Sequence, residues 1–354
     1  MPAYINGIGL ISPQKTAETA DFLSEIMQYN SEYLKCIEPP SYKPYIDPIQ
    51  SRRMSRLIKM GIASAKMCLN ESGCSMPDAI ITGTGLGSVE DTEKILGTIH
   101  LDQPFLNPTP FMQSTYNTIS SQIAIQLKCH NYNSTYVHRT FSFESSLQDA
   151  LLQISEGTSK NVLAGGIDEM TSNHLAITRR AEHWKKEEVN NLEMLNWDSP
   201  GSLAGEGAGF YLLSDTKSDK TYARLMDVKT LYKPSGLEEI GERVTRMISS
   251  SGLINSDIDL VLLGINGDNR TDHLYHDFAA SIFPETTLAY YKHLCGEYHT
   301  SSAFALWLAA NILKNQTIPD IIRINDKSPN PLKHILIYNQ YYNVNHSLIL
   351  VSSM

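Results

Sequence analysis

The chain has 354 residues, 42% of them hydrophobic, and a formal net charge of −9. That is enough for a large core, as one big domain or two coupled halves. An acidic chain without a long basic run argues against nucleic acid as the main partner. Five cysteines, Cys36, Cys68, Cys74, Cys129 and Cys295, show no CxxC spacing, which suits unpaired thiols in a reducing cytoplasm. The opening MPAYINGIGLISP has no basic stretch followed by a long apolar run, so no signal peptide is expected. No segment approaches the roughly 18 apolar residues of a membrane span. The expectation is a soluble, cytoplasmic protein.

Residues 3–12 read as a first strand, residues 16–29 as a helix and residues 39–49 as a Pro- and Tyr-rich loop. Residues 52–72 read as a helix whose apolar face begins with Met54, Leu57, Ile58 and Met60. Residues 79–84, AIITGT, form a short buried strand entering the turn GTGLGS. That turn lacks the GxGxxG order and a fitting ribose-binding acid about 20 residues on, so it reads as a tight strand-to-helix turn. A Pro/Phe loop over 104–116 and a helix over 118–127 follow.

Residues 134–157 organise the chain. STYVHR is rich in β-formers. After a sharp turn, Leu147, Ala150, Leu151 and Ile154 recur at helical spacing, with Ser145 or Ser146 placed to cap the helix. The free N–H groups and dipole of such a helix N-terminus favour an anion, and many enzymes put a nucleophile there. Here the turn offers Phe141, Ser142, Phe143 and Glu144.

A buried strand over 161–164 runs into AGGIDEM, a polar irregular stretch covers 184–200, and GEGAGFYLLS over 205–214 is a glycine turn feeding a strand. From about Thr221 the pattern repeats. A strand over 222–230, a helix over 238–250, and DLVLLG entering INGDN come first. A strand over 287–291, a polar turn over 292–300, a helix over 301–313 and a strand over 318–324 then mirror STYVHR, FSFESS, LQDALLQIS and NVLAGG. Two last strands, 334–338 and 347–351, flank a Tyr/Asn-rich turn. Alternating strands and helices imply an α/β architecture. A duplicated unit without a linker suggests two halves sharing one core, residues 1–218 and 219–354.

Six motifs in order carry a resemblance: Ile8-Gly-Leu-Ile-Ser-Pro, Arg53-Met-Ser-Arg, Gly83-Thr-Gly-Leu-Gly-Ser, Asn117 with Ile123-Ala124, Ala164-Gly-Gly-Ile-Asp-Glu and Gly205-Glu-Gly-Ala-Gly. On this duplicated topology the chain resembles the β-ketoacyl-[acyl-carrier-protein] synthases, condensing enzymes of the thiolase-like fold. The resemblance implies duplicated α/β halves in a layered αβαβα architecture. It also implies decarboxylative Claisen condensation through a cysteine at a helix N-terminus and two histidines that steady the enolate oxygen. The acyl group would arrive on the phosphopantetheine of an acyl carrier protein. No cofactor, metal or nucleic acid is implied.

Carried over residue by residue, all three catalytic positions depart. Phe143 falls at the cysteine, Asn266 at the first histidine and Glu297 at the second, after Lys292 and Gly296. The asparagine- and glycine-rich turn near the end is also altered, to Asn339-Gln-Tyr-Tyr-Asn-Val-Asn-His. No cysteine lies between Cys129 and Cys295, so an alignment slip does not restore the thiol. The chain therefore resembles a degenerate member such as a chain-length factor. This is a non-catalytic subunit that shapes the acyl tunnel of an active ketosynthase in fatty acid, polyketide or polyene assembly. Family members dimerise through the strand before the nucleophile turn, which points to pairing by residues 135–138, TYVH, in a homodimer or heterodimer.

The alternative is an acyltransferase or decarboxylase acting through other residues, with Glu144, Lys292, Glu297 and His299 as candidates. Each has a plainer reading. Phe143 is either a plug at the mouth of an acyl tunnel or a core aromatic, and the serines and Glu144 suit a helix start. Lys292 is either an active-site lysine or an ion-pair partner. His273, His276, His293, His299 and Cys295 form no compact metal-ligand motif. An open pocket around Glu144 would favour the enzyme; a site packed shut by Phe143 would favour the partner.

Overall fold

The computed structural model describes residues 2–17, 22–101, 107–327 and 329–354. In chain order the main elements are β1 (Ala3–Ile11), α1 (Arg56–Ser72), β2 (Ala79–Thr84), α2 (Val89–His100), α3 (Pro108–Gln113) and α4 (Thr118–Leu127). They continue with β3 (Tyr132–Val137), α5 (Ser142–Ser155), β4 (Asn161–Asp168), α6 (Ser172–Arg180) and β5 (Gly207–Ser214). The second half holds β6 (Ala223–Tyr232), α7 (Leu237–Ser250), β7 (Leu260–Leu263), α8 (His273–Ile282), β8 (Thr287–Tyr290), α9 (Lys292–Cys295), α10 (Ser302–Asn315), β9 (His334–Tyr341) and β10 (Asn345–Ser352).

These ten strands form one sheet in the order β8-β7-β9-β10-β6-β1-β5-β4-β2-β3. Outward from the β1–β6 seam, both halves follow the same chain order, first, fifth, fourth, second and third. The seam is antiparallel, with Ala3 opposite Leu225 and Ile5 opposite Ala223. Within each half the inner pairs are antiparallel and the outer pairs parallel. The parallel strands AIITGT and LVLL are buried along their whole length, as strands covered on both faces must be.

Three cores make the layers. Leu57, Ile62 and Cys68 of α1 pack with Ile119 and Ile123 of α4 on the outer face of the first half. Val244 and Met247 of α7 pack with Phe278 of α8 on the outer face of the second. Between the halves, α5 and α10 form the middle layer, with Phe143, Leu147, Phe304 and Leu308 in one continuous cluster. The fold is thiolase-like, α on β on α on β on α.

Four expectations need correction. Within residues 16–29 the described residues, 16–17 and 22–29, are turns and irregular backbone rather than helix; residues 18–21 lie outside the described residues. There the backbone bonds to side chains: the Met27 N–H donates to Gln14 Oε1 at 2.9 Å and the Tyr29 N–H to Asn191 Oδ1 at 2.7 Å. Residues 318–324 are no strand but a 3₁₀ turn, Asp320–Ile322, opened by Pro319, which has no N–H to give a ladder. The counterpart of β4 is instead β9 (His334–Tyr341), so the repeat ends one strand later than its pattern suggests. The Pro/Phe loop contains α3, with proline in its first turn and Asn107 accepting from the Thr109 N–H at 3.0 Å; residues 104–106 lie outside the described residues. Finally, the organising helix begins at Ser142, with Phe141 as its N-cap residue, so Ser145 and Ser146 lie inside it.

Candidate functional site

The site lies where α5, the turns after β4 and β7, and the segment joining α9 to α10 meet. His138 shapes the entry to α5: its Nδ1 accepts from the Thr140 and Phe141 N–H groups, both at 3.1 Å. The start of α5 presses on β2, where Gly83 is a necessity. A Cβ there would stand 2.4 Å from the Ser142 carbonyl. Likewise a Cβ at Gly166 would meet the Phe143 ring at 2.9 Å and Thr300 at the same distance. Phe143 is 0% exposed, with the Tyr211 ring 5.7 Å away. It is therefore a middle-layer core residue whose ring occupies the space under the helix N-terminus.

Glu144 is also 0% exposed, and its carboxylate accepts from Ser347 Oγ at 2.9 Å. Burial raises its pKa; Ser302, its own backbone, Ser347 and the charge of Lys292 pull it back. It joins α5 to β10 from the interior.

Asn266, Lys292 and Glu297 come together. Glu297 Oε2 accepts from Lys292 Nζ at 2.5 Å and from Asn266 Nδ2 at 2.7 Å, and both members of the ion pair are buried. Gly296, at φ 75°, ends α9 after one turn and swings Glu297 back over the lysine. The turn carrying Asn266 is held by Asp272, which accepts from the Asn266 N–H at 3.2 Å and the Gly267 N–H at 2.7 Å. Burial pushes Asp272 up to about 6 against those two bonds. Lys292 is thus the partner of Glu297, and the supposed polar turn over 292–300 is largely interior.

Beside Glu297 opens a cavity of about 250 Å³. Glu297 and His299 line it; Phe143 and Glu144 do not. His299 packs on Gly85 and faces the Tyr341 ring edge-on at 6.1 Å, outside the Lys292–Glu297–Asn266 chain. The other polar lining includes Arg139, Asp168, Glu169, His174 and His183. The sequence did not single these out, because they come from separate elements with no common spacing: Asp168 from the end of β4, His174 from α6 and Arg139 from the turn before α5. Asp168 is occupied, accepting from the Gly85 N–H at 2.8 Å, Thr300 Oγ1 at 2.9 Å and Thr84 Oγ1 at 3.1 Å. Glu169 accepts from the Glu90 N–H at 3.0 Å, and burial pushes it up to about 7. Of His273, His276, His293 and His299, His293 is fully buried and stacked on Tyr290 at 3.9 Å, and burial lowers it to about 3. Among the described residues no group of three or more His, Cys, Asp or Glu side chains is placed to hold a metal.

Residues 29–183 match the family model of the beta-ketoacyl synthase N-terminal domain. The match covers less than half of the chain and marks a likeness to that family over this stretch. The solved ishigamide ketosynthase/chain length factor superposes with a TM-score of 0.82 at 16% identity, over 100% of this chain and 99% of that one. A beta-ketoacyl synthase from Burkholderia phymatum STM815 gives 0.80 at 14% identity, with 100% and 99% covered. A chain of the ketosynthase ApeO in complex with its chain length factor ApeC, from Xenorhabdus doucetiae, gives 0.78 at 14% identity, with 100% and 98% covered. At these identities the likeness is one of fold. No curated protein sequence matches. Among the described residues no helix is long and apolar enough to cross a membrane.

Proposed function

We propose that this β-ketoacyl-synthase-like chain does not condense acyl groups itself and works as the chain-length-factor-like partner of an intact ketosynthase, in carrier-protein-based fatty acid, polyketide or polyene assembly. The observation that carries the reading is the fully buried Phe143 ring at the start of α5, where the resemblance calls for a thiol. A phenyl ring can neither form a thioester nor admit one. On the facing wall, Glu297 is engaged by Lys292 and Asn266, so this side offers a neutralised carboxylate rather than two imidazoles.

A partner surface supports the same reading. β3 is the last strand of the sheet, bonded only to β2 among the described residues, and its outer backbone edge is unpaired. Tyr132 and Val137 on it are 47% and 43% exposed, and Phe111 and Met112 on α3 are 63% and 59% exposed. An uncharged, half-apolar edge of this kind is a template for another chain. A second copy and a separate ketosynthase both fit it.

The enzyme reading keeps one observation in its favour: Glu297 and His299 line the cavity. One assay separates the two. Incubated alone with acyl- and malonyl-carrier substrates, the protein is expected to give no condensation product. Turnover by the isolated protein would overturn the proposal. If the residue assignment is right, Phe143→Cys combined with Asn266→His and Glu297→His restores measurable condensation.

A further inference from the structure

Lys185 is a buried ammonium that the site does not use. It is 2% exposed, and burial lowers its pKa. Its Nζ donates to the Ser199 carbonyl at 2.7 Å, to Ser199 Oγ at 2.9 Å and to the Gly267 carbonyl at 2.7 Å. The three N–H groups of the ammonium thus meet neutral oxygens, and among the described residues no carboxylate forms an ion pair with it. A buried charge is costly, and an apolar side chain would fill the same space at less cost. What the ammonium adds is a fixed link between two segments: the backbone around Ser199 and the turn that carries Asn266 and Gly267.

The segment around Ser199 has firm ends and a lightly held middle. It leaves the 3₁₀ turn Asn191–Asn196, where Met194 is buried in the outer core of the second half. It ends at Ser202, whose N–H donates to the His183 carbonyl and whose carbonyl accepts from the Lys185 N–H, both at 3.0 Å. Gly201 sits at this end at φ 86°, and a Cβ there would stand 2.6 Å from the Trp184 carbonyl. Between these ends, residues 197–200 are half-buried or exposed. Trp197 lies so close on Gly267 that a Cβ there would stand 2.2 Å from the indole. Asp198 Oδ1 accepts from Asn269 Nδ2 at 3.1 Å, and Ser199 pairs with Asp268 as an isolated bridge. Beside this docked segment, a crevice of about 10 Å³ is lined by Trp184, Asn266, Asp268 and Glu297. It shares Trp184 and Glu297 with the cavity of about 250 Å³.

We propose that residues 197–201 form a lid that swings off the Asn266–Asp268 turn, with Lys185 as its latch, and that opening joins the crevice to the cavity, so that the cavity reaches Asn266. A segment docked by a few hydrogen bonds and one aromatic contact opens more readily than the core beneath it. The inference concerns access to the cavity and rests on neither the partner nor the enzyme reading.

Amide hydrogen exchange of the purified full chain, read by mass spectrometry, tests the lid. In the wild type, residues 197–203 are expected to exchange at least roughly a hundredfold faster than the buried helix α10, because they open without the core. Lys185→Met keeps the side-chain length without the N–H groups. It should speed exchange over 197–203 and 266–269 by a further factor of roughly ten, the scale of losing one charge-assisted hydrogen bond, and leave α10 unchanged. Access to the crevice is read by acrylamide quenching of tryptophan fluorescence. Trp197→Ala and Trp197→Phe leave the same two tryptophans, Trp184 and Trp307. The alanine variant frees Gly267, whereas the phenylalanine variant keeps a ring on it. The alanine variant should therefore be quenched more strongly, as Trp184, 8% exposed in the closed form, becomes accessible. The proposal is overturned if residues 197–203 exchange as slowly as α10 in the wild type. It is equally overturned if Lys185→Met leaves their exchange unchanged or speeds α10 as much, or if the two Trp197 variants are quenched alike.

Discussion

The two walls of the site are closed in opposite ways. On α5 the space is filled with carbon: the Phe143 ring lies against Gly166 and 5.7 Å from the Tyr211 ring. On the wall from the second half it is filled with charge: the buried Lys292, Glu297 and Asn266 bond to one another. An apolar closure loses stability in proportion to the volume removed. A closure by a buried ion pair depends on every member being present, because removing one strands the other. The charged wall should therefore be the more brittle, and four variants probe that difference.

Lys292→Met should be the most damaging, by about 3–5 kcal/mol in urea unfolding, because Glu297 would keep only Asn266. The double variant Lys292→Met/Glu297→Met should recover most of that loss. If the double variant were as damaged as the single, the pair would not be acting as a unit. Phe143→Cys, which leaves a void in the middle layer, should cost about 3 kcal/mol, the lower end of large-to-small core changes. A cost near zero would mean that the ring is not packed as described.

The smallest effect is a pH dependence on the rim. Glu169 carries a native pKa of about 7 against an ordinary 4.5, so the folded protein holds this proton more tightly than the unfolded chain. Its contribution to stability is complete below 4.5 and is lost as the pH rises through about 7. Glu169→Gln keeps an oxygen for the Glu90 N–H without the charge. It should match the wild type near about pH 4 and exceed it by about 1–3 kcal/mol near about pH 8. Equal stability at both ends would remove the burial argument.

Much of the fold was legible because it follows from periodicity. The helix expected over 118–127 runs from Thr118 to Leu127, and the strand AIITGT lies where its uninterrupted apolar pattern puts it. The duplication was legible as well, though its last strands were paired one element early, because Pro319 and the turn behind it resemble a short strand in composition only. The described part of residues 16–29 was not legible: the Met27 and Tyr29 N–H groups bond to Gln14 and Asn191, and Asn191 is 162 residues from Tyr29. At the site, motif order alone proposes Phe143, Asn266 and Glu297 as the departed positions. That Lys292 grips Glu297 could not be read from it, because a spacing of five along a regular helix would not bring two side chains together. Gly296 supplies the reversal that does. The cavity's lining was invisible for a related reason: Arg139, His174, His183 and His299 come from separate elements, His174 from α6 and the others from turns and loops.

As proposed, this chain acts through another. The most direct measurement is co-expression with an intact ketosynthase encoded beside it, followed by affinity purification through a tag on this chain and an elongation assay of the eluate. The proposed role calls for a one-to-one complex that extends acyl-carrier substrates, with neither subunit reproducing the product length alone. A chain that elutes without the ketosynthase, while the ketosynthase makes the same products in its absence, would contradict it.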